Sequence, residues 1–239
     1  MNIQLDVHTH TIVSGHAYST IQEMAKAASE KGLRVLGITE HGPRIPGACH
    51  PIYFDNLHVI PRRMYDVRLL MGCEINILNL RGDLDLPDTT IKKLDLRIAG
   101  IHSLCWEGGT KEENTAALIR VIQNPLIHII SHPGDGVASL DFEPIARAAA
   151  DSHTLLEVNS HSMRPTRNMV GARKNNMEIL RLCKQMNVPV ILGSDAHISF
   201  DIANYENALP LLKEVDFPKE LVMNYNADRF FEYLGIENL

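Results

Sequence analysis

Histidines and carboxylates recur directly after short apolar runs of this 239-residue chain. His8 and His10 follow the first apolar run, and Asp195 and His197 follow a run near the other end of the chain. Side chains at positions i and i+2 of a β-strand share a face, so each pair can direct two side chains toward one metal ion. If the first and last strands are neighbours, all four side chains converge.

Five further residues follow apolar runs in the same way, namely His16, His41, Glu74, His102 and His132. Each of these taken alone would be interpreted as a hydrogen-bonded loop residue or a helix cap. The nine together provide imidazole and carboxylate groups without a thiolate, which predicts a site for Zn, Mn or Fe(II) and not a structural zinc site of the Cys type. Nine ligands exceed the needs of one ion and suit two or three ions bridged by a carboxylate.

The apolar runs themselves predict the strands that position these residues. Seven of them alternate with helices or long connections, at residues 5–8, 33–38, 68–76, 96–101, 127–130, 154–158 and 188–192. Connections of this length favour parallel pairing, because a parallel neighbour requires a crossover of a dozen or more residues. Both a barrel and an open doubly wound sheet fit this order. The ligands at nearly every strand end favour the α/β barrel, since only a ring points all strand ends at one centre.

Capping motifs and amphipathic stretches predict the helices between these strands. Ser19 to Gln22 and Thr110 to Glu113 have the pattern of capping boxes, and the second of these begins a helix predicted over 114–123. Helices are also predicted over 141–150, within 166–187, and in the tail at 208–212 and 228–234. The long connection over 42–64 is predicted to fold over the mouth of the barrel.

Composition narrows the class of protein further. The length fits one domain over residues 1–239, and no linker or repeat divides it. The net charge of -6 and the scattered basic pairs argue against a nucleic-acid surface. The four cysteines form no C-x-x-C pair and are predicted to be reduced thiols. No apolar run is long enough to span a membrane. We therefore expect a cytoplasmic protein without a membrane partner. A homo-oligomer remains compatible with the sequence.

The ordered motifs of the chain resemble those of the PHP (polymerase and histidinol phosphatase) family, and among its members the compact single-domain bacterial phosphatases of the YcdX type. The resemblance runs from residue 6 to residue 197 and includes every one of the nine candidate ligands. Its motifs are Asp6-Val7-His8-Thr9-His10, His16, Ile38-Thr39-Glu40-His41, Gly72-Cys73-Glu74, Gly100-Ile101-His102, Ser131-His132-Pro133 and Gly193-Ser194-Asp195-Ala196-His197.

This resemblance implies a distorted, TIM-like seven-stranded β/α barrel with three divalent ions at its carboxyl-terminal mouth, Zn first and Mn or Fe as alternatives. It assigns one ion to His8, His10, Glu74 and Asp195. It assigns a second ion to His16, His41 and His197, and the third to Glu74, His102 and His132, so that Glu74 bridges two ions.

The chemistry expected of such a cluster is phosphomonoester hydrolysis by in-line attack of a metal-bound hydroxide on a small phosphorylated substrate. No Ser or Cys nucleophile is evident. Asp195 and His197 are the candidate catalytic residues, passing a proton to the leaving alkoxide. Candidate phosphate-binding residues are Arg164, with Arg167, Arg62 and Arg63 as alternatives, and His161 is a candidate for lining the pocket. His50, His58, His128 and His153 are predicted to be structural, with His128 at the opposite end of the barrel.

Three other functions remain open at this stage. Amidohydrolase barrels also begin with H-x-H, but they place a bridging lysine at a middle strand, where this chain has Glu74. A 3′-5′ exonuclease or phosphodiesterase of the same family is a second enzymatic alternative, which the acidic balance of the chain disfavours. A non-catalytic regulatory module would normally close its metal site, whereas a barrel mouth is open.

Overall fold

Seven parallel strands form a nearly closed barrel in the computed structural model, which describes residues 2–167, 169 and 171–236. The spatial order is β1-β2-β4-β5-β6-β7-β8, and the short β3 pairs antiparallel with the start of β4. The strands are β1 (Leu5–Asp6), β2 (Val35–His41), β3 (Arg63–Met64), β4 (Val67–Asn76), β5 (Leu96–Gly100), β6 (Ile129–Ile130), β7 (Leu155–Asn159) and β8 (Val190–Gly193). The predicted barrel is confirmed.

The seam between β1 and β8 closes the ring at two levels. Near the mouth, the backbone N–H of His10 donates to the carbonyl of Ala196 at 2.9 Å. Deeper in the barrel, the Asn224 side chain accepts from the N–H of Leu192 at 2.7 Å and donates to the carbonyls of Leu192 and Leu5 at 2.9 and 3.2 Å. One amide side chain therefore replaces the missing backbone ladder between the first and last strands.

The helices surround the sheet and follow the predicted order, with boundaries that differ by a few residues. They are α1 (Ile21–Glu30), α2 (Ile52–Asp55), α3 (Asp88–Ile91), α4 (Lys111–Ile122), α5 (Phe142–Ser152), α6 (Ala172–Met186), α7 (Leu209–Glu214) and α8 (Ala227–Leu234). Among these described helices, none is both long and apolar enough to cross a membrane.

One of the two capping boxes lies where it was predicted, and the other is shifted by one residue. Thr110 and Glu113 cap α4 reciprocally, as predicted. The first box lies one residue later than predicted, because the Thr20 hydroxyl accepts from the Glu23 N–H while the Glu23 carboxylate accepts from the Thr20 N–H. Ser19 instead accepts a hydrogen bond from the N–H of Ser199 and ties the start of α1 to the loop after β8.

The apolar core has two parts, one inside the barrel and one between the sheet and its helices. Inside the barrel, Leu5, Leu96 and Leu155 pack with Phe230 and Phe231 of α8, so the last helix closes the amino-terminal end. The larger part contacts helices α1, α4, α5 and α6 from the outer face of the strands. With the amino-terminal end filled by side chains, the carboxyl-terminal mouth is left for polar groups.

The connection over 42–64 reaches both ends of the barrel. Ile45 lines the cavity at the mouth. The connection then passes through α2, and Arg62 and Arg63 lie where β3 joins the start of β4, with Arg62 paired to Asp95 at 2.6 Å. The two arginines are therefore at the amino-terminal end, away from the mouth where the sequence analysis placed them. The antiparallel hairpin that returns the chain to β4 is the physical reason.

Candidate metal centre

The nine predicted ligands all lie around the carboxyl-terminal mouth. His41 ends β2 and Glu74 lies near the end of β4, while His102 and His132 follow β5 and β6. The other residues come from the two chain segments at the seam, His8, His10 and His16 after β1, and Asp195 and His197 after β8. The hydrogen-bonded part of β1 ends at Asp6, so the first histidine pair follows the strand instead of belonging to it.

Glu74 is at the centre of the cluster and is fully buried. Its two carboxylate oxygens face different histidines, on opposite sides of the mouth. The nearest nitrogens to Oε2 are Nδ1 of His41 at 2.9 Å, Nε2 of His8 at 3.3 Å and Nε2 of His10 at 3.6 Å. The nearest to Oε1 are Nε2 of His132 at 2.8 Å and Nε2 of His102 at 3.2 Å. This two-sided arrangement is the one that a bridging carboxylate requires.

Asp195 forms the second acidic position. Its Oδ1 lies 3.2 Å from Nε2 of His10, 3.7 Å from Nε2 of His8 and 3.4 Å from Nδ1 of His197. The His16 ring lies 4.9 Å, centre to centre, from the rings of both His41 and His197. His16 thus extends the cluster toward solvent.

The donor atoms satisfy the geometric requirement for metal binding. In each of three groups, one atom per residue lies within 4.8 Å of the others: His8, His10 and Glu74; His10, His41 and His197; His41, Glu74 and His102. Several of these buried atoms have no hydrogen-bond partner among the described residues, namely Nε2 of His8 and His10, Nδ1 of His41, Oε2 of Glu74 and Oδ1 of Asp195. Buried polar atoms are normally paired, so atoms that face one another unpaired fit a cation between them.

These groups match the ligand partition implied by the family resemblance only in part. His8, His10 and Glu74 belong to one ion in both descriptions. His41 and His197 are grouped with His10 in the structure, whereas the resemblance groups them with His16. The positions of the nine side chains are therefore established, and the assignment of each to a particular ion remains a prediction.

Three polar residues that the sequence analysis did not assign orient the ligand histidines. Glu157 Oε1 lies 2.6 Å from Nδ1 of His8, and Asp135 Oδ2 lies 3.0 Å from Nδ1 of His132. Ser14 Oγ lies 3.2 Å from Nδ1 of His10. A partner on the far ring nitrogen fixes the tautomer that leaves the other nitrogen free for a metal. Of these three residues, only Glu157 could have been noticed from the sequence, because it is a glutamate within an apolar strand.

Burial and charge together set the protonation of the cluster. Burial lowers the pKa of His41 to about 4 and that of His10 well below its usual range. Burial raises the pKa of Glu74, but the charges of His8 and His102 and the hydrogen bonds from His102 and His132 outweigh it, so the net shift is well downward. Burial also lowers the pKa of His8 and His132, but the neighbouring carboxylates outweigh it and raise both well above the usual range. A metal ion would displace these two protons, since neutral imidazole and ionised carboxylate are the forms that bind metal.

A cavity of about 420 Å³ lies over the cluster. Ile45, Ile101, Leu104 and Val137 supply its apolar wall, and His161 and Arg167 also line it. The structure thus brings His161 to the mouth, with its ring 5.8 Å from that of His197.

Arg164 does not line this cavity, contrary to its predicted role as the first candidate for phosphate binding. Its guanidinium forms two hydrogen-bonded contacts of 2.9 Å with the carboxylate of Asp201. Arg167, an alternative in the sequence analysis, is the arginine that lines the mouth. His128 lies at the amino-terminal end of β6, as predicted.

Comparison with known proteins agrees with this architecture over nearly the whole chain. The model of the PHP domain family matches residues 6–231. A protein from Clostridium novyi named probable phosphatase is 46% identical over 234 residues, which cover 98% of this chain and 95% of the relative. One of the same description from Acetivibrio thermocellus is 45% identical over 234 residues, covering 98% and 96%.

Two solved structures share the fold at low sequence identity. Histidinol phosphate phosphatase from Lactococcus lactis, solved with zinc, L-histidinol and phosphate, gives a TM-score of 0.62 at 22% identity, over 90% of this chain and 94% of that one. A second structure is that of a Listeria monocytogenes protein to which the name histidinol phosphatase has been assigned. It gives a TM-score of 0.60 at 17% identity, over 84% of this chain and 97% of that one. At these identities the likeness establishes the barrel and not the substrate.

Proposed function

The chain belongs to the PHP domain family, and we propose that it is a metal-dependent phosphatase that hydrolyses phosphomonoesters. The observation that carries this proposal is the set of unpaired, buried donor atoms around Glu74 and Asp195, which lies beside an open cavity, so that a metal ion held there would be accessible to a substrate. An open metal position is typical of catalytic and not structural sites. The names of the relatives from Clostridium novyi and Acetivibrio thermocellus support the same class.

We further propose that the centre holds three divalent ions, with Zn first and Mn or Fe as alternatives. His8, His10, Glu74 and Asp195 would hold the first ion, and His16, His41 and His197 the second. Glu74, His102 and His132 would hold the third. The zinc bound to the Lactococcus lactis neighbour supports Zn as the first choice, and the imidazole and carboxylate donors suit it. Bound divalent ions would supply an activated water and neutralise charge on the phosphoryl oxygens.

The residues of the chain then position the substrate and handle its proton. Arg167 lines the cavity and would pair with the phosphate as a planar, permanently charged donor. His161, half-buried beside His197, would contact the leaving group. We propose that Asp195 or His197 accepts a proton from the attacking water and passes it to the leaving alkoxide.

The test is a substrate screen with chelator-stripped protein reloaded separately with Zn, Mn or Fe(II). We expect hydrolysis of small phosphomonoesters and no activity in the stripped sample, with the metal content of every sample measured by elemental analysis. Preferential cleavage of phosphodiesters or single-stranded DNA would replace this proposal with the exonuclease alternative. A fully loaded protein that hydrolyses none of these would indicate a regulatory metal site.

The role of Asp195 has its own test. Asp195→Asn should lower kcat on a phosphomonoester by about 100-fold, in the range of general acid catalysis, in samples whose metal content equals that of the wild type. Unchanged turnover in a fully loaded Asp195→Asn sample would show that this carboxylate does not transfer the proton.

A further inference from the structure

A second cavity opens beside the mouth, and its charged lining is mainly basic. It has a volume of about 640 Å³ and shares Ser162 and Met169 with the cavity over the metal centre. Its charged lining residues are Arg164, Arg173, Lys174, Arg181 and Glu214. We refer to this cavity as the basic groove. Four cations against one carboxylate are unexpected in a chain whose net charge is -6, so the groove concentrates positive charge next to the mouth.

Two of the four cations are already paired, and two are available to a ligand. Arg164 forms an ion pair with Asp201, and Arg173 forms one with Glu214. Lys174 and Arg181 form no ion pair with any residue that the structure describes. Both belong to α6 and are exposed. The groove therefore presents two positive charges that are available to an anionic ligand.

The spacing of Lys174 and Arg181 places them on one side of the helix. Seven residues are close to two helical turns, or about 10 Å along the axis. Met177 lies between them, is buried and also lines the groove. A ligand in the groove would thus meet an apolar floor with a cation at each end. Such a surface suits an anionic group attached to a carbon chain or ring.

We propose that the basic groove binds a second phosphate group of the substrate, so that the preferred substrates are small bisphosphorylated molecules. This inference rests on the proposed function, because the first phosphate must lie at the metal centre. The two cavities are adjacent, because Ser162 and Met169 line both of them, and a substrate that extends past these two residues would reach the groove. A monophosphate of the same length would place no charge beside Lys174 and Arg181.

Binding and hydrolysis are measured separately, so that the two proposals can fail independently. For binding, metal-loaded protein is titrated calorimetrically with alkane α,ω-bisphosphonates and alkyl monophosphonates of matched and increasing chain length, since the carbon–phosphorus bond is not hydrolysed. For hydrolysis, kcat/KM is compared for the corresponding diol bisphosphates and alkyl monophosphates. At one chain length we expect the bisphosphonate to bind about tenfold more tightly than its monophosphonate, equivalent to one charge-assisted contact.

The charge variant of the groove is Lys174→Ala/Arg181→Ala. Its preference for the bisphosphorylated compound should fall to the statistical factor of two that two identical ends provide, in both binding and kcat/KM. The matched control Lys26→Ala/Lys92→Ala removes the same charge from exposed positions on other elements, and it should retain the wild-type preference. Far-UV circular dichroism and thermal melting verify that both variants are folded.

The outcomes separate the two proposals. If no chain length shows a bisphosphonate advantage in the wild type, or if the groove variant keeps the advantage, the groove proposal is overturned even when monophosphates are hydrolysed. An equal loss of preference in the control variant would attribute it to net charge and also overturn the groove. If the bisphosphonate advantage is present but no phosphate ester is hydrolysed, the phosphatase proposal fails and the groove remains an anion site.

Discussion

At the scale of single residues, Glu157 links three parts of the metal centre. Its Oε1 lies 2.6 Å from Nδ1 of His8, and its Oε2 accepts from the backbone N–H of His132 at 2.8 Å. Oε2 also accepts from the Asn159 amide at 3.1 Å, and Asn159 in turn reaches Asp195 at 3.4 Å. The side chain is 1% exposed. One buried carboxylate therefore positions groups that belong to three different strand ends.

Replacing Glu157 by Gln should weaken metal binding about 10- to 100-fold, the usual effect of removing a carboxylate behind a ligand histidine. The amide preserves the shape but not the charge that holds His8 in its orientation. Metal affinity is measured by competition with a coloured chelator. Glu143→Gln, on the exposed side of α5, is the control and should bind metal as the wild type does. An unchanged affinity in Glu157→Gln would contradict this positioning role.

His128 is a second informative residue, because it is a histidine outside the metal centre. It is buried before β6, where the Arg97 guanidinium contacts its Nε2. Burial, with a smaller contribution from the Arg97 charge, lowers its pKa to about 3. The unfolded chain has the ordinary value near 6.5. Below about pH 6.5 the unfolded state therefore binds a proton that the folded state does not.

The stability that depends on neutral His128 is fully present above about pH 6.5 and is lost as the pH falls toward 3. Between pH 7.5 and pH 5 the loss should be about 2 kcal/mol. Urea denaturation of metal-free protein at both values measures it, and His128→Gln should lose about that much less than the wild type. His58→Gln, at an exposed position, should behave as the wild type. Equal acid sensitivity in all three proteins would contradict the buried, neutral imidazole.

At the scale of elements, the seam between β1 and β8 determines whether the cluster can assemble. The two strands that precede the histidine pair and the Asp195–His197 pair are far apart in sequence and share few backbone hydrogen bonds. Asn224 compensates from the segment before α8, and its Nδ2 also lies 3.3 Å from the Tyr205 hydroxyl. The Asn224 side chain is completely buried, so the groups that bond to it cannot form hydrogen bonds with water instead.

Asn224→Ala should therefore destabilise the fold by about 2 to 4 kcal/mol, because it removes the side-chain partner of the buried N–H and carbonyl of Leu192 and leaves the Leu5 carbonyl with the Tyr205 hydroxyl as its side-chain donor. The free energy of unfolding is obtained from urea titration of the metal-loaded protein. Asn207→Ala is the control, since the Asn207 side-chain nitrogen has no partner among the described residues, and it should cost less than about 1 kcal/mol. A loss in Asn224→Ala no larger than in the control would show that the seam does not depend on this amide.

At the scale of the whole molecule, polar and apolar groups occupy opposite ends of one barrel. The interior below the cluster is filled by apolar side chains and closed by α8, whereas the mouth contains several buried carboxylates and many imidazoles. This division predicts that the barrel does not need metal to fold, although metal stabilises it. A ligand that binds only the folded state adds about 3 to 4 kcal/mol when it is present at 100 to 1,000 times its Kd.

Removing the metal with a chelator should accordingly lower the Tm by about 5 to 15 °C while the far-UV circular dichroism spectrum stays that of a folded α/β protein. Adding Zn back should restore the Tm. Differential scanning calorimetry with parallel elemental analysis makes the comparison. Complete unfolding on chelation would show that the apolar interior is insufficient, and an unchanged Tm after proven metal loss would argue against the cluster as a binding site.

The sequence by itself determined the barrel and the set of polar residues at its mouth. Apolar runs separated by helix-length connections favour parallel pairing, and the residues that follow parallel strands lie at the same edge of the sheet. His41, Glu74, His102 and His132 were placed correctly for that local reason. Boundaries were less exact, as with Thr20 in place of Ser19, because hydrogen bonds to neighbouring segments select one cap among adjacent candidates.

Only the tertiary structure decided how these side chains are supported and which cations are available. Arg164 and Arg167 both follow β7 in the sequence, yet the first is paired with Asp201 and the second lines the mouth. Glu157, Asp135 and Asn224 act on residues up to 219 positions away, and Lys174 and Arg181 matter because their groove adjoins the metal centre. Periodicity reports which face a side chain occupies, but pairing across a closed ring depends on contacts between distant segments that no local pattern records.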